Sequence, residues 1–223
     1  MQENIVKHYQ LLVKQNPEDP AGYFNLAGAF KNEGNLESAL KCYRKAIELD
    51  PSNAEFHNSL GITFVSMGDI GNAMECFKKA LALNSDHLDA RYNLGNALKE
   101  LGNLDEAIAQ YGLVTGSAPE FVDALYNLGN ALKEKGMYED AIFSYQKALT
   151  INPSHVEALN NIGVTLHDRM LFQEALKYFH DALSVSPGYP EAHFNRALTL
   201  LLLGDFKEGW KEHEWRWSKK DYL

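Results

Sequence analysis

Five of the seven prolines, Pro17, Pro51, Pro119, Pro153 and Pro187, are separated by multiples of 34 residues, and the other two, Pro20 and Pro190, lie 170 apart, five such intervals. Glycine keeps the same interval at Gly34, Gly68, Gly102, Gly136 and Gly204, and alanine at Ala39, Ala73, Ala107, Ala141 and Ala175. A period of about 34 residues marks a helix–turn–helix unit that cannot bury its apolar face alone and must stack on its neighbours. The chain is therefore expected to be all-α, an α-solenoid of paired helices. Such a stack offers an extended surface to a partner rather than an enclosed reactive centre.

Cutting at this period gives a lead-in, 1–19, and six units, 20–53, 54–87, 88–121, 122–155, 156–189 and 190–223. In each unit two apolar runs of helical spacing flank the glycine, as in Leu128 and Leu132 followed by Ala141, Ile142, Tyr145, Ala148 and Leu149. Glycine at the hinge ends the first helix in the left-handed conformation. The Asn or Asp that follows it, as at Asn35, Asp69 and Asn103, is placed to cap the second helix. Proline at the seam stops the second helix without costing an interior hydrogen bond. Gly61, Gly95, Gly129 and Gly163 recur inside the first helices, where glycine costs about 1 kcal/mol relative to alanine, so close helix contact is expected there. Tyr43, Phe77, Tyr111, Tyr145 and Phe179, with Ala46, Ala80, Ala148 and Ala182, are assigned to the core.

A formal charge of −9, from 30 acidic and 21 basic side chains, argues against nucleic acid or anionic membrane as partner. The start, MQENIVKHYQ, has neither the basic nor the apolar segment of a secretory signal, and no run approaches the roughly 20 apolar residues of a membrane span. A cytoplasmic location is expected. Cys42 and Cys76 hold equivalent places in consecutive units, farther apart than the roughly 7 Å a disulfide tolerates, so both are expected as free thiols.

The segment YNLGNALKEKGMYEDAIFSYQKALTINP, Tyr126 to Pro153, carries nearly every signature position of one family, and YNLGNALKE recurs unchanged at Tyr92–Glu100 and Tyr126–Glu134. It closely resembles the tetratricopeptide repeat (TPR) family, and the resemblance runs through essentially the whole chain. The lead-in falls in register, since Ile5, Tyr9, Leu12 and Pro17 match a second helix, which predicts an N-terminal capping helix over 3–15. Departures fall at Ser85 for proline, at Met170 for glycine, and at Val114, Thr115 and Gly116, where local loosening is expected.

The resemblance implies a right-handed superhelix whose inner face is lined by the first helix of every hairpin. On that face Asn25, Asn93, Asn127, Asn161 and Asn195 share one register position, with Ser59 in the remaining unit, and Asn96 and Asn130 sit three residues further on. A carboxamide offers a donor beside an acceptor and matches the N–H and C=O of a peptide backbone. The asparagine row is similar to the groove of the repeat domain in O-linked N-acetylglucosamine transferases, and it predicts capture of an extended peptide. The competing reading is that these amides bond a neighbouring helix's backbone and merely fix the stacking angle, since buried amides must find partners. Phe24, Tyr92, Tyr126 and Phe194 either contact ligand side chains or pad the wall. The acidic series Glu55, Asp89, Asp123, Glu157 and Glu191 opens the first helices, where it complements the helix dipole or favours a basic ligand. The family's carboxylate clamp needs Lys and Arg beside the asparagines, and Asn58, Asn160 and the aromatics stand there instead.

All three tryptophans, Trp210, Trp215 and Trp217, fall in the last helix. Phe206, Trp210 and Trp217 stand at core positions, Gly209, His213 and Arg216 depart from the pattern, and Trp215 is predicted to face solvent. The string Gly204 to Trp217 resembles the junction of bacterial TPR proteins that continue into a glycosyltransferase domain. It predicts docking onto a downstream domain or a second copy. The eight histidines show no metal-binding spacing, and no phosphate-binding glycine loop or nucleophile–base set is present, so no cofactor, metal or catalytic residue is assigned. The expectation is a non-catalytic scaffold for a protein or peptide partner. The alternatives are the substrate-recruiting arm of a glycosyltransferase and a self-assembling structural protein.

Overall fold

The computed structural model describes residues 2–215, with side chains from Ile5 onward. Among the described residues every regular element is a helix. α1 (Gln2–Gln15) leads into helix pairs α2 (Pro20–Asn32) and α3 (Leu36–Leu49), α4 (Ala54–Ser66) and α5 (Ile70–Leu83), and α6 (Leu88–Glu100) and α7 (Leu104–Ser117). The series continues with α8 (Val122–Glu134) and α9 (Tyr138–Ile151), α10 (Val156–Asp168) and α11 (Phe172–Val185), and α12 (Pro190–Leu202) and α13 (Phe206–His213).

The chain divides into two compact units, Met1–Gln110 and Tyr111–Leu223. In the first, each helix from α1 to α6 packs on the next, and the first helices α4 and α6 also touch each other. In the second, α8 to α13 pack in sequence, and α10 touches both α8 and α12. Each unit is thus a layer of first helices backed by a layer of second helices.

The hinges follow from the sequence. Gly34, Gly68, Gly102, Gly136 and Gly204 have φ between 76° and 83°, a region that costs glycine nothing. Met170 takes the same turn at φ 60°, so an L side chain is held in the left-handed region while the hairpin keeps its form. Asn35 and Asp69 accept hydrogen bonds from the N–H groups of Ser38 and Asn72 at 3.2 and 3.1 Å, the capping role expected of them.

Packing between the layers depends on glycine beneath an aromatic ring. A Cβ built at Gly61, Gly129 or Gly163 would come within 2.5 Å of Phe77, Tyr145 or Phe179. Those rings are 0% exposed, and Tyr43 is 2% exposed. The expected loosening around Val114, Thr115 and Gly116 does not occur: α7 runs unbroken through them and Val114 is fully buried. An apolar residue simply replaces alanine against the core.

The seam carbonyls gain a partner that the pattern of prolines does not announce. His57 and His193 place Nε2 3.3 and 2.8 Å from the carbonyl oxygens of Pro51 and Pro187, each six residues back. At Ser85, which stands where proline is expected, Arg91 occupies the same register and donates to the Ser85 carbonyl.

Candidate functional site

The amide row lies on the first helices of both units. Asn25 is exposed, and Asn93, Asn96, Asn127, Asn130, Asn161 and Asn195 are half-buried. Asn93, Asn161 and Asn195 donate to the residue 35 positions earlier, on the preceding first helix. Asn93 bonds Asn58 Oδ1 at 3.0 Å, Asn161 bonds the Tyr126 hydroxyl at 3.2 Å, and Asn195 bonds Asn160 Oδ1 at 3.0 Å. Asn58 and Asn160 are 3% and 5% exposed, so these bonds also satisfy buried amides that would be costly to strand.

In the second unit the row joins a side-chain network. Asn130 Oδ1 accepts from Tyr145 at 2.7 Å and from Asn161 at 2.8 Å, and its own amide reaches Asn127 Oδ1 at 3.5 Å. Asn161 donates to Tyr126 and Asn130 and accepts from Asn160 at 3.4 Å. It is therefore a structural cross-link between α8 and α10. The bonds of Asn93, Asn161 and Asn195 run to side chains of the adjacent first helix.

The aromatic positions pack both along the first-helix layer and against the second helices behind it. Phe24 stacks on Phe56 at 5.0 Å and meets Tyr43 edge-on at 5.6 Å. Tyr126 lies 5.9 Å from Tyr145 and 4.8 Å from His155, and Tyr92 is half-buried. The acidic row is partly engaged as well. Glu55 accepts from Ser59 at 2.8 Å and faces His87 Nε2 at 3.1 Å. His87 and His155 also cap their helices by accepting from Ala90 and Ala158, a role that no residue pattern in the sequence singled out. Cys42 and Cys76 are free, and burial pushes both thiols up, Cys76 to about 11. No group of three His, Cys, Asp or Glu side chains among the described residues is placed to hold a metal, and no described helix is long and apolar enough to cross a membrane.

Comparison with known proteins gives this arrangement a family. Profiles of the TPR repeat match residues 29–68, and profiles described as tetratricopeptide repeat match 64–129, 122–155 and 168–209. The chain belongs to the tetratricopeptide repeat family. No curated protein sequence matches it at a significant level. Among solved structures it is similar to YrrB, described as a TPR protein with an unusual peptide-binding site, at 27% identity and a TM-score of 0.71, over 82% of this chain and 95% of that one. It is also similar to MamA, at 28% identity and a TM-score of 0.71, over 75% of this chain and 92% of that one. PilF of Pseudomonas aeruginosa shares the fold at 22% identity and a TM-score of 0.74, over 86% of this chain and 88% of that one.

The last TPR hairpin departs from the sequence expectation. Trp215, expected to face solvent, is half-buried. α13 ends at His213, before the register position of the exposed lysines in other units is reached, and the Trp215 ring stacks on His193 at 4.0 Å with the planes 2° apart. Phe206 and Trp210, expected in the core, are 61% and 58% exposed. Their counterparts one period earlier, Phe172 and Leu176, are half-buried. Trp217 and Arg216 lie outside the described residues. Gly209 replaces the usual alanine because α13 sits tightly on α12, where a Cβ would come within 2.8 Å of Leu201. His213 takes the aromatic slot and lies 5.6 Å from Phe194, the same separation as between Phe24 and Tyr43. Glu212, 8% exposed, joins His193 at 2.5 Å and Arg196 at 3.3 Å, which fastens α13 to α12.

Proposed function

We propose that this TPR chain is a non-catalytic interaction module that holds an extended segment of a partner protein along its first helices. The observation that carries the reading is the amide series at one register position, exposed at Asn25 and half-exposed at Asn93, Asn127 and Asn195. The likeness to YrrB, whose description includes a peptide-binding site, supports it. First helices spaced by roughly 10 Å meet an extended chain, rising about 3.3 Å per residue, once every three residues or so. A net ~0.5–1.5 kcal/mol per hydrogen bond, set against ordering costs, gives affinities of about micromolar. Asn161 contributes less than its register suggests, because its donors already join α8 to α10.

The test selects binders from displayed random 15-residue peptides and measures their affinity by fluorescence polarisation. Replacing Asn93, Asn127 and Asn195 together by alanine is expected to weaken the selected peptides at least tenfold while helical circular dichroism is unchanged. Unaltered affinity overturns the reading.

A second reading, self-association through the last hairpin, draws on the exposure of Phe206 and Trp210. Light scattering across concentration, for the native chain and Trp210→Glu, separates it from the first. A monomer at every concentration rules it out.

A further inference from the structure

Each unit contains a pocket at the same repeat position. In the first it is a cavity of about 90 Å³ between α4 and α6, lined by Ile62, Phe77, Asn93, Asn96 and Glu100. In the second it is a cavity of about 170 Å³ between α10 and α12, lined by Val164, Phe179, Asn195, Leu198, His167 and Asp168. Ile62 and Val164, Phe77 and Phe179, and Asn93 and Asn195 are each 102 residues apart, three periods. The two pockets therefore share an aromatic floor, an aliphatic wall and a row amide at the mouth. The floor ring is the one that lies over Gly61 or Gly163, so the missing Cβ lets the aromatic approach the first-helix layer.

The rims add charge. Glu100 in the first pocket and Asp168 in the second are exposed carboxylates at the edge of an apolar well. An apolar well that ends at a carboxylate matches a side chain with a methylene stem and a cationic head, since Lys and Arg bury the stem and keep the charge in water. The formal charge of −9 favours the same ligand at longer range. Building on the proposed capture of an extended segment, we infer that these two pockets receive lysine or arginine side chains of that segment, the head pairing with Glu100 or Asp168.

The pockets are not equal. His167 lines the second, where its Nδ1 lies 2.8 Å from Thr199 Oγ1, and no basic group among the described residues lines the first. Lys133 also acts on Asp168. Burial pushes the Lys133 ammonium down in pKa, and the Asp168 carboxylate opposes that shift, so Asp168 already interacts with a cation of the chain itself. Glu100 is therefore expected to contribute more of the preference than Asp168.

The test uses fluorescein-labelled peptides (Gly-Ser-Lys)5, (Gly-Ser-Leu)5 and (Gly-Ser-Glu)5 in about 150 mM salt, where exposed charges farther apart than about 8 Å are screened. The lysine peptide is expected to bind about tenfold tighter than the other two. Glu100→Gln should weaken it about threefold without affecting the leucine peptide. Ile62→Phe, which fills the first well and leaves every charge in place, should weaken it as well. Glu134→Gln removes an equivalent carboxylate outside both pockets and should change nothing. Equal affinity of the lysine and leucine peptides, no binding by any of the three, or an equal loss in Glu134→Gln overturns the pockets' assignment. If the triple asparagine variant abolishes binding of lysine and leucine peptides that bind equally, the groove reading stands and this inference fails. If the lysine preference survives the triple variant and is lost in Glu100→Gln, the pockets stand and the amide row does not.

Discussion

The ring of Tyr145 rests directly on the backbone of Gly129: a Cβ there would meet Cε1 at 2.5 Å, closer than any real side chain tolerates. The same ring donates its hydroxyl to Asn130, one residue along α8, so the core contact and the amide network share one side chain. Gly129→Ala gains about 1 kcal/mol of helix propensity and loses about 1–3 kcal/mol to overpacking. A net destabilisation of up to about 2 kcal/mol is expected in urea denaturation. Gly28→Ala, where a Cβ meets nothing closer than 3.9 Å, should be neutral or stabilising.

Met170 holds φ 60° at a hinge where the equivalent hinges of other units use glycine, and its side chain is 77% exposed, so little packing repays the strain. Left-handed backbone costs an L residue about 1–2 kcal/mol, offset partly by the greater freedom of glycine in the unfolded chain. Met170→Gly should therefore stabilise the second unit by about 0.5–1 kcal/mol, measured by urea denaturation. A loss of stability would show that Met170 makes a contact that matters more than its backbone.

Glu212 fastens α13 through His193 and Arg196 with only 10% of its side chain exposed. Glu212→Ala leaves a histidine and an arginine without their carboxylate, and hydrogen bonds to charged groups are worth about 1.5–3 kcal/mol. α13 should fray while the preceding helices persist. The readouts are a red shift of tryptophan emission as Trp215 leaves His193, and faster amide exchange confined to α13.

Burial holds the Cys76 thiol up at about 11 and raises the Cys42 thiol and the Tyr43 and Tyr126 hydroxyls for the same reason. Groups raised in the folded state favour folding below their unfolded values, and that contribution is lost as pH rises through the folded ones. Stability should be level through neutral pH and fall from about pH 8.5, the unfolded thiol value, toward 11. Cys76→Ser should flatten the early part of the decline. Iodoacetamide should label both cysteines far more slowly at pH 8 in the folded protein than in urea.

Much of the architecture was legible because it repeats. A residue type that returns every 34 positions reports a backbone conformation or a buried face. Gly34 and its equivalents at the hinges, and Tyr145 with its fellow aromatics in the core, behave as their spacing implies. The amide row was legible as a row, since a first-helix face is fixed by period. What each amide meets was not. That depends on the residue 35 positions earlier, asparagine at Asn58 and Asn160 but tyrosine at Tyr126, and on whether Asn130 is there to draw in Tyr145 and Asn161.

The sequence alone determined the helix pairs, their hinges and their core, because these follow from local backbone preference and from a pattern each unit carries within itself. Tertiary structure decided the environment of the last hairpin, where Trp215 stacks on His193 while Phe206 and Trp210 stand exposed. It also decided the carboxylate-rimmed wells between first helices. Both depend on what lies beside a residue in the stack, and a periodic sequence states each unit's shape but not the contacts made where one unit ends or two units differ.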